Sequence, residues 1–284
     1  VPVLVLKVDI DTRRGMRVGL PALMEILAGR SVHASFFVSF GPDRSGLAVL
    51  QLVRPRFLLK MIRTNAPGMY GLKSALYGTI LPAPLIGAGF PEAVRQLAEG
   101  GHEIACHAWD HRLWQDWLHL MSARHIARWF VKMVEAYRGI TGEKPAGFGA
   151  PGWLMNFKAL KTVSDFDFNY LSCTRAEEPF IFQENGMVEI PSNLPCIEET
   201  GVDGVLEKLK SRADSSVIQV LPVHAEVEGG LYRKQFAHIL DVALSLGYTI
   251  KKMVDAVRDI DRSALSTRPL KLGMIPGRAF KCSI

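Results

Sequence analysis

The chain has 284 residues, 48% of them apolar and 22% charged, with a formal net charge of +6. That length and balance describe a folded chain with a sizeable core and exclude a disordered or fibrous one. The excess of positive charge favours an anionic partner without choosing among nucleic acid, acidic lipid and phosphorylated substrate.

The first segment, "VPVLVLKVDIDT", is apolar and β-branched almost throughout, as in a strand buried on both faces of a parallel sheet. It lacks a basic start and a small-residue cleavage site, so it does not read as a signal peptide. "GLPALMEILAGRS" follows as a helix with proline near its start and glycine near its end. "VHASFFVSF" is a second buried strand, which completes a βαβ unit.

A break then interrupts the rhythm. From Arg44 to Pro91 there is no acidic residue. Arg44, Arg54, Arg56, Lys60, Arg63 and Lys73 are interleaved there with Phe57, Tyr77 and a series of leucines, isoleucines and methionines. A segment both apolar and wholly basic suits an anionic membrane surface, with Arg54, Arg56, Phe57, Lys60, Arg63, Lys73 and Tyr77 as the contact residues. An ordinary lid packed on the domain is the plainer reading. Nucleic acid fits less well, because no aromatic stacking platform accompanies the basic residues. No uninterrupted apolar run is long enough for a membrane-spanning helix.

Beyond the break, "FPEAVRQLAEGG" reads as a helix and "HEIACHA" as a short strand. "SARHIARWFVKMVEAYRGITG" is a long amphipathic helix. "PAGFGAPGW" is a strand-end loop, "NFKALKTVSDFDFNYLSC" a helix and a strand, and "VDGVLEKLKSRA" a helix. "SVIQVLPVHAEVEGG" is a strand and loop, and "YRKQFAHILDVALSLGYTI" closes with a helix. The alternation predicts one α/β domain over 1–260, a distorted (β/α) barrel of seven or eight units carrying an insertion at about 44–90. A basic C-terminal tail spans 261–284, and its part after Arg268, "PLKLGMIPGRAFKCSI", would be disordered or a further anchor. The four cysteines, Cys106, Cys173, Cys196 and Cys282, form no C-x-x-C pair, which fits a reducing compartment better than a disulfide framework or zinc ribbon.

Three motifs carry chemistry. "VDIDT" puts Asp9 and Asp11 at the carboxyl end of the first strand, on one side of it by alternation. Two such acids need a cation or a proton between them, unless one merely caps a helix. "CHAWDH" supplies His107 and His111, whose spacing grips a metal ion equally from a helix or from a strand-end loop. Alone, that pair is more often packing or surface than ligand. Together with the acids it makes an open site for a divalent ion, and one carboxylate with two imidazoles suits zinc, manganese, cobalt or nickel. "LPVHAEVEGG" adds His224 at a late strand end, either a general acid or a structural histidine, with Glu226 and Glu228 beyond it.

The order of these motifs resembles the polysaccharide deacetylase superfamily of metal-dependent amide hydrolases. Their usual motifs are T-F-D-D, H-[ST]-x-x-H, R-x-P-x-G and L-x-x-H. This chain has an extra residue between its acids, Ala-Trp-Asp between its histidines, Gly149 in place of the third-motif arginine and a proline in "LPVH". With "KVDIDT", "SFFVSFGPDRSG", "HEIACHAWDHRLWQD", "APGW" and "HAEVEGG", those departures resemble the subgroup that deformylates 4-deoxy-4-formamido-L-arabinose-phosphoundecaprenol in lipid A modification. The similarity spans residues 1 to about 250, including the basic insertion.

The resemblance implies Asp9 as general base, His224 as general acid, and Asp11, His107 and His111 as metal ligands. The extra residue between the acids leaves an exchange of their roles open. Pro151, Gly152, Trp153, Glu226 and Arg175 become candidate substrate contacts, with Arg175 also a candidate to orient the base. Asp110 would hold a ligand histidine or lie exposed. The implied substrate is an undecaprenyl phosphate-linked sugar met at the cytoplasmic face of the bacterial inner membrane, with no nucleic-acid partner. The alternatives are a deacetylase of another N-acylated glycan and an inactive membrane-binding barrel.

Overall fold

A computed structural model of the chain describes residues 1–48, 74–276 and 281–284. Ten strands form its main sheet: β1 (Val3–Ile10), β2 (Ser35–Val38), β3 (Glu103–Cys106), β4 (Gly147–Gly149), β5 (Tyr170–Ser172), β6 (Phe180–Phe182), β7 (Val188–Glu189), β8 (Gln219–His224), β9 (Thr249–Lys251) and β10 (Thr267–Arg268). The order is β10-β6-β7-β5-β4-β3-β2-β1-β8, and β9 also pairs with β1. Pairings are parallel except β6 with β7. The sheet curls into a half-barrel, the α/β architecture expected from the alternation of elements. Among the described residues no pairing closes it into a complete seven- or eight-unit ring.

β1 is central because it is apolar on both faces. Leu4, Leu6, Val8 and Ile10 pack outward with the helices, while Val5 joins Phe37, Ala105 and Tyr170 inside the curl. The outer layer includes α1 (Leu20–Ala28), α2 (Pro91–Glu99), α3 (His111–Trp117), α4 (Ala123–Thr141), α5 (Phe157–Val163), α6 (Ile197–Ser211) and α7 (Arg233–Ser245). α4 shows how sequence sets such bounds. The Ser122 side chain accepts from His125 N at one end, and Gly142 takes φ 75° at the other, where only glycine is unstrained.

Parallel register brings the strand ends together. Asp9 lies opposite both Phe37 of β2 and His224 of β8. β2 and β3 are aligned so that Val38 faces Cys106, which puts His107 beside the same rim.

After residue 170 the structure adds one feature the sequence reading omitted and ties down the C-terminal segment. "FIFQENGMVE" is a hairpin, β6 turning into β7 through Asn185 and Gly186, the latter at φ 69°. The 261–284 segment is not a detached tail. β10 extends the main sheet along β6, and β11 (Leu272–Gly273) pairs with β12 (Cys282–Ser283). Ser283 is buried, its carbonyl accepting from Arg175 N and its hydroxyl from Met155 N. All four cysteines are free and buried.

Candidate active site

The site grows from three strand ends. β1 delivers Asp9 and, one residue past its end, Asp11. The chain leaving β3 delivers His107, turns through Ala108 at φ 66°, and enters α3 at His111. A left-handed alanine costs about 1–3 kcal/mol, and here that strain lies between the two histidines and aims both at Asp11. The sequence spacing had left helix and loop open. The turn is a loop whose last histidine begins a helix. Asp110 is that helix's N-cap, accepting from Leu113 N at 3.0 Å and from Arg44 Nε at 2.9 Å. It therefore fixes where His111 starts without touching either imidazole in these bonds.

Asp11 Oδ1 lies 3.3 Å from His107 Nε2 and 3.2 Å from His111 Nε2, and it is buried without a hydrogen bond. The His107 ring is oriented from its far side: Nδ1, 2.9 Å from Gly149 O, donates to that carbonyl, which turns Nε2 toward Asp11. Burial lowers His111 to about 4, with only partial relief from Asp11, so its imidazole is neutral at neutral pH. Burial would raise Asp11, but the neighbouring His111, His107 and His224 outweigh it and hold the carboxyl well below the carboxylate range. A carboxylate and two imidazoles, with ligand atoms all within 4.8 Å of one another, fit a divalent cation.

Asp9 is 3% exposed and takes a different partner. Lys7 Nζ, fully buried, lies 2.5 and 2.6 Å from its two carboxylate oxygens. His107 Nε2 is 3.9 Å from Asp9 Oδ2, so Asp9 stands beside the ligand cluster rather than in it. Of the two role assignments the sequence allowed, this geometry favours Asp11 as ligand.

His224 ends β8, beside Asp9 in the strand register. Its Nδ1 is 3.2 Å from Glu198 Oε1, and its backbone N donates to Glu228 Oε2 at 2.7 Å. Burial would depress the imidazole, yet the Glu198 charge and hydrogen bond raise it well above its usual range, helped by Asp11 and Glu228. Trp153, at φ 53° after Gly152 at φ 61°, turns its ring edge-on to His224 at 6.3 Å and donates from Nε1 to Ser192 Oγ. Pro151 and Trp153 are buried, so the "APGW" turn forms the wall behind the site.

Two expected substrate contacts are redirected by partners far away in sequence. Arg175 is ion-paired to Glu199 at 2.7 Å, donates to Ser192 O and Leu194 O, and stacks on Trp153. Its guanidinium is structural and does not reach Asp9. Glu226 points inward, its Oε1 accepting from Thr12 N, Thr12 Oγ1 and Asp11 N, so it shapes the loop that carries Asp11. Burial, then the Asp11 charge, raises it to about 8. Lys7 and Glu198 were missed. A lysine in an otherwise apolar strand, two residues before Asp9 and so on the same face, was a readable signal. Glu198 had none.

Of the membrane-contact candidates, Arg54, Arg56, Phe57, Lys60, Arg63 and Lys73 lie outside the described residues. Tyr77 is half-buried and bridges to Leu81, in a stretch that also leaves Ile80 79% exposed. Among the described residues, no helix is long and apolar enough to cross a membrane.

Gly149 offers a direct test of how tightly the site is packed. A Cβ there would come within 2.6 Å of Phe37 Cδ1, and Phe37 is a fully buried ring with no room to yield. Gly149→Ala is expected to cost about 1–3 kcal/mol of stability, read by denaturant titration.

The family model for polysaccharide deacetylase matches residues 3–171. The chain belongs to this family. It is accordingly a hydrolase that acts on an amide bond, with a deformylase or deacetylase role. Over 264 residues it is 32% identical to "Probable 4-deoxy-4-formamido-L-arabinose-phosphoundecaprenol deformylase ArnD" of Shewanella sediminis, covering 90% of this chain and 87% of that one. A protein of the same name from Wigglesworthia glossinidia brevipalpis is 31% identical, covering 86% and 88%. Among solved structures, one described as a polysaccharide deacetylase from Mycobacterium smegmatis superposes with a TM-score of 0.66 at 18% identity, covering 96% of this chain and 94% of that one. A family 4 carbohydrate esterase from Streptomyces lividans gives 0.51 at 12% identity, covering 88% and 91%. These likenesses support the shared fold.

Proposed function

We propose that the chain hydrolyses the formamide of undecaprenyl phosphate-linked 4-deoxy-4-formamido-L-arabinose, releasing formate and the free amino sugar lipid, a step in lipid A modification and cationic peptide resistance. The observation that carries this reading is the pair of deformylase-named relatives spanning nearly the whole chain, combined with an intact Asp9, Asp11, His107, His111 and His224 arrangement.

Asp11, His107 and His111 would hold one divalent ion, which supplies Lewis acidity toward the formyl oxygen and a water acidified to near neutrality. The chain's own residues do the rest. Asp9, beside the cluster but outside it, accepts the proton of the attacking water. His224, cationic and at the end of the neighbouring strand β8, donates a proton to the nitrogen as the C–N bond breaks, so the sugar leaves as a neutral amine. Trp153 keeps that imidazole oriented and shields it from water.

A lipid-linked substrate explains the surface beside the site. Leu76, Ile80, Leu81 and Leu85 are exposed in the later part of the basic, acid-free segment. Apolar side chains flanked by cations suit the headgroup boundary of an anionic membrane, and this reading places the enzyme on the cytoplasmic face as a peripheral protein.

The deciding experiment strips the protein of metal, reloads it with zinc, manganese, cobalt or nickel, and measures formate release from the formamido lipid beside acetate release from its N-acetyl counterpart. Metal-restored formate release supports the proposal. Acetate release from the counterpart or from N-acetylated glycan oligomers, without formate release, would assign the chain to the deacetylase reading instead.

A further inference from the structure

Lys7 is a charged side chain with no exposed surface, in a strand that apart from it and Asp9 is built from valine, leucine and isoleucine. Burying an ammonium costs several kcal/mol unless it is fully compensated, so an apolar residue would be the cheaper choice for stability. The compensation is specific. Nζ sits 2.5 and 2.6 Å from the two oxygens of Asp9, 4.7 Å from the Phe37 ring centroid and 5.5 Å from that of Trp153. Both carboxylate oxygens are engaged at once by the one ammonium, a charge-assisted contact that holds the acid in position. The aromatic faces confine the ammonium to that one location.

The space for this arrangement is made at Gly149. Its carbonyl receives His107 Nδ1, and a Cβ on it would approach Lys7 Cε to 3.3 Å and Phe37 Cδ1 to 2.6 Å. A longer residue at 149 and the Lys7–Phe37 pair therefore compete for one volume. Alternation along β1 puts residues 7 and 9 on the same face, roughly 6.6–6.8 Å apart, a distance a lysine stem spans along the strand.

We propose that Lys7 is the positioning residue for the catalytic base: it orients Asp9 from two residues upstream on the same strand, and Gly149 is small so that it can. This rests on the reading of Asp9 as base. Lys7 touches neither water nor substrate; it acts through Asp9 alone. Its loss leaves Asp11, His107 and His111 in place, so the effect falls on turnover and not on metal or substrate binding.

The test compares metal-loaded wild type, Asp9→Asn, Lys7→Met, Lys7→Arg and Lys7→Ala for kcat, KM, metal content and thermal midpoint, using a formamido-arabinosyl phosphate with a shortened polyprenyl tail. An active wild type with an inactive Asp9→Asn establishes the base first. If Asp9→Asn keeps full turnover, it is the assignment of the base that fails. Given that foundation, Lys7→Met is expected to lower kcat about 100-fold, the scale of a misplaced reacting group, with KM and metal content unchanged. Lys7→Arg should recover most of the loss, and added ethylammonium should restore turnover to Lys7→Ala while tetramethylammonium at equal ionic strength does not. A purely structural lysine would not respond to the small amine. A folded, metal-loaded Lys7→Met with wild-type kcat overturns the proposal. So does a Lys7→Arg as slow as Lys7→Met together with no rescue of Lys7→Ala, and those two proteins decide the matter should Lys7→Met fail to fold.

Discussion

Asp11→Asn is expected to lose the bound metal and to lower kcat/KM by about 10³-fold or more, which is about 4 kcal/mol of transition-state stabilisation. The expectation follows from one atom. Asp11 Oδ1 is buried, accepts no hydrogen bond, and faces imidazole nitrogens at 3.2 and 3.3 Å. His107 Nδ1 donates to the Gly149 carbonyl on the far side of that ring, so Nε2 is turned toward the carboxylate alongside His111 Nε2. Such a cluster is unfavourable without a cation between its members. Asparagine keeps the shape, removes the charge, and can point an amide N–H at a neighbouring nitrogen, which satisfies the cluster without metal. His111→Ala should reach the same kinetic end by deleting a donor. Metal content by elemental analysis and formate release together check this. A variant that keeps stoichiometric metal and wild-type turnover would remove Asp11 from the ligand set.

The sign of the metal-free stability change is also fixed. The Asp11 pKa is depressed on folding, so its contribution to stability is present above the unfolded value near 3.9 and is lost as pH falls through the folded one. His111 is lowered to about 4, so folding is weakened by its protonation between about pH 6.5 and 4. The metal-free protein should therefore lose stability steadily on acidification across that window.

What the sequence made legible was local and periodic. The two-faced apolar run of β1, the strand ends bearing Asp9, Asp11, His107 and His224, and the long amphipathic α4 all follow from spacing alone. Partnerships across the fold were hidden. Arg175 looked available because Glu199 lies 24 residues away and only the packing of α6 brings them together. Glu226 looked like a substrate contact because Thr12, 214 residues distant, is its neighbour only once β8 lies beside β1. Lys7 was readable as a lysine two residues before Asp9 on the same face of β1, but the room for its charge shows only once Gly149 lies beside it. The β6–β7 hairpin was a plain omission, because Asn185-Gly186 between "FIF" and "MVE" is a recognisable turn signal.

His224 carries the second large effect, and it should appear as a pH profile. His224→Ala is expected to lower kcat about 10²–10⁴-fold, the usual contribution of a positioned acid. Glu198→Gln is more informative, because it keeps the imidazole and alters only when it is protonated. The main support for the cation is the Glu198 carboxylate at 3.2 Å; Asp11 adds to it, and a divalent ion beside Asp11 would offset that charge. Glu228, raised to about 8 first by its own burial and then by the Glu198 charge, is largely neutral at pH 7 and cannot substitute. With Glu198 neutral, burial dominates and the imidazole gives up its proton at lower pH. The basic limb of kcat should therefore move down in Glu198→Gln, leaving a loss of about tenfold or more at pH 8 that narrows toward pH 6. Stability should follow the same sign. The raised His224 value contributes stability that is complete below about 6.5 and declines as pH rises toward the folded value, and Glu198→Gln should abolish that contribution. An unchanged basic limb in Glu198→Gln, with His224→Ala still inactive, would mean that His224 serves the reaction as a neutral imidazole and not as the proton donor to the departing amine.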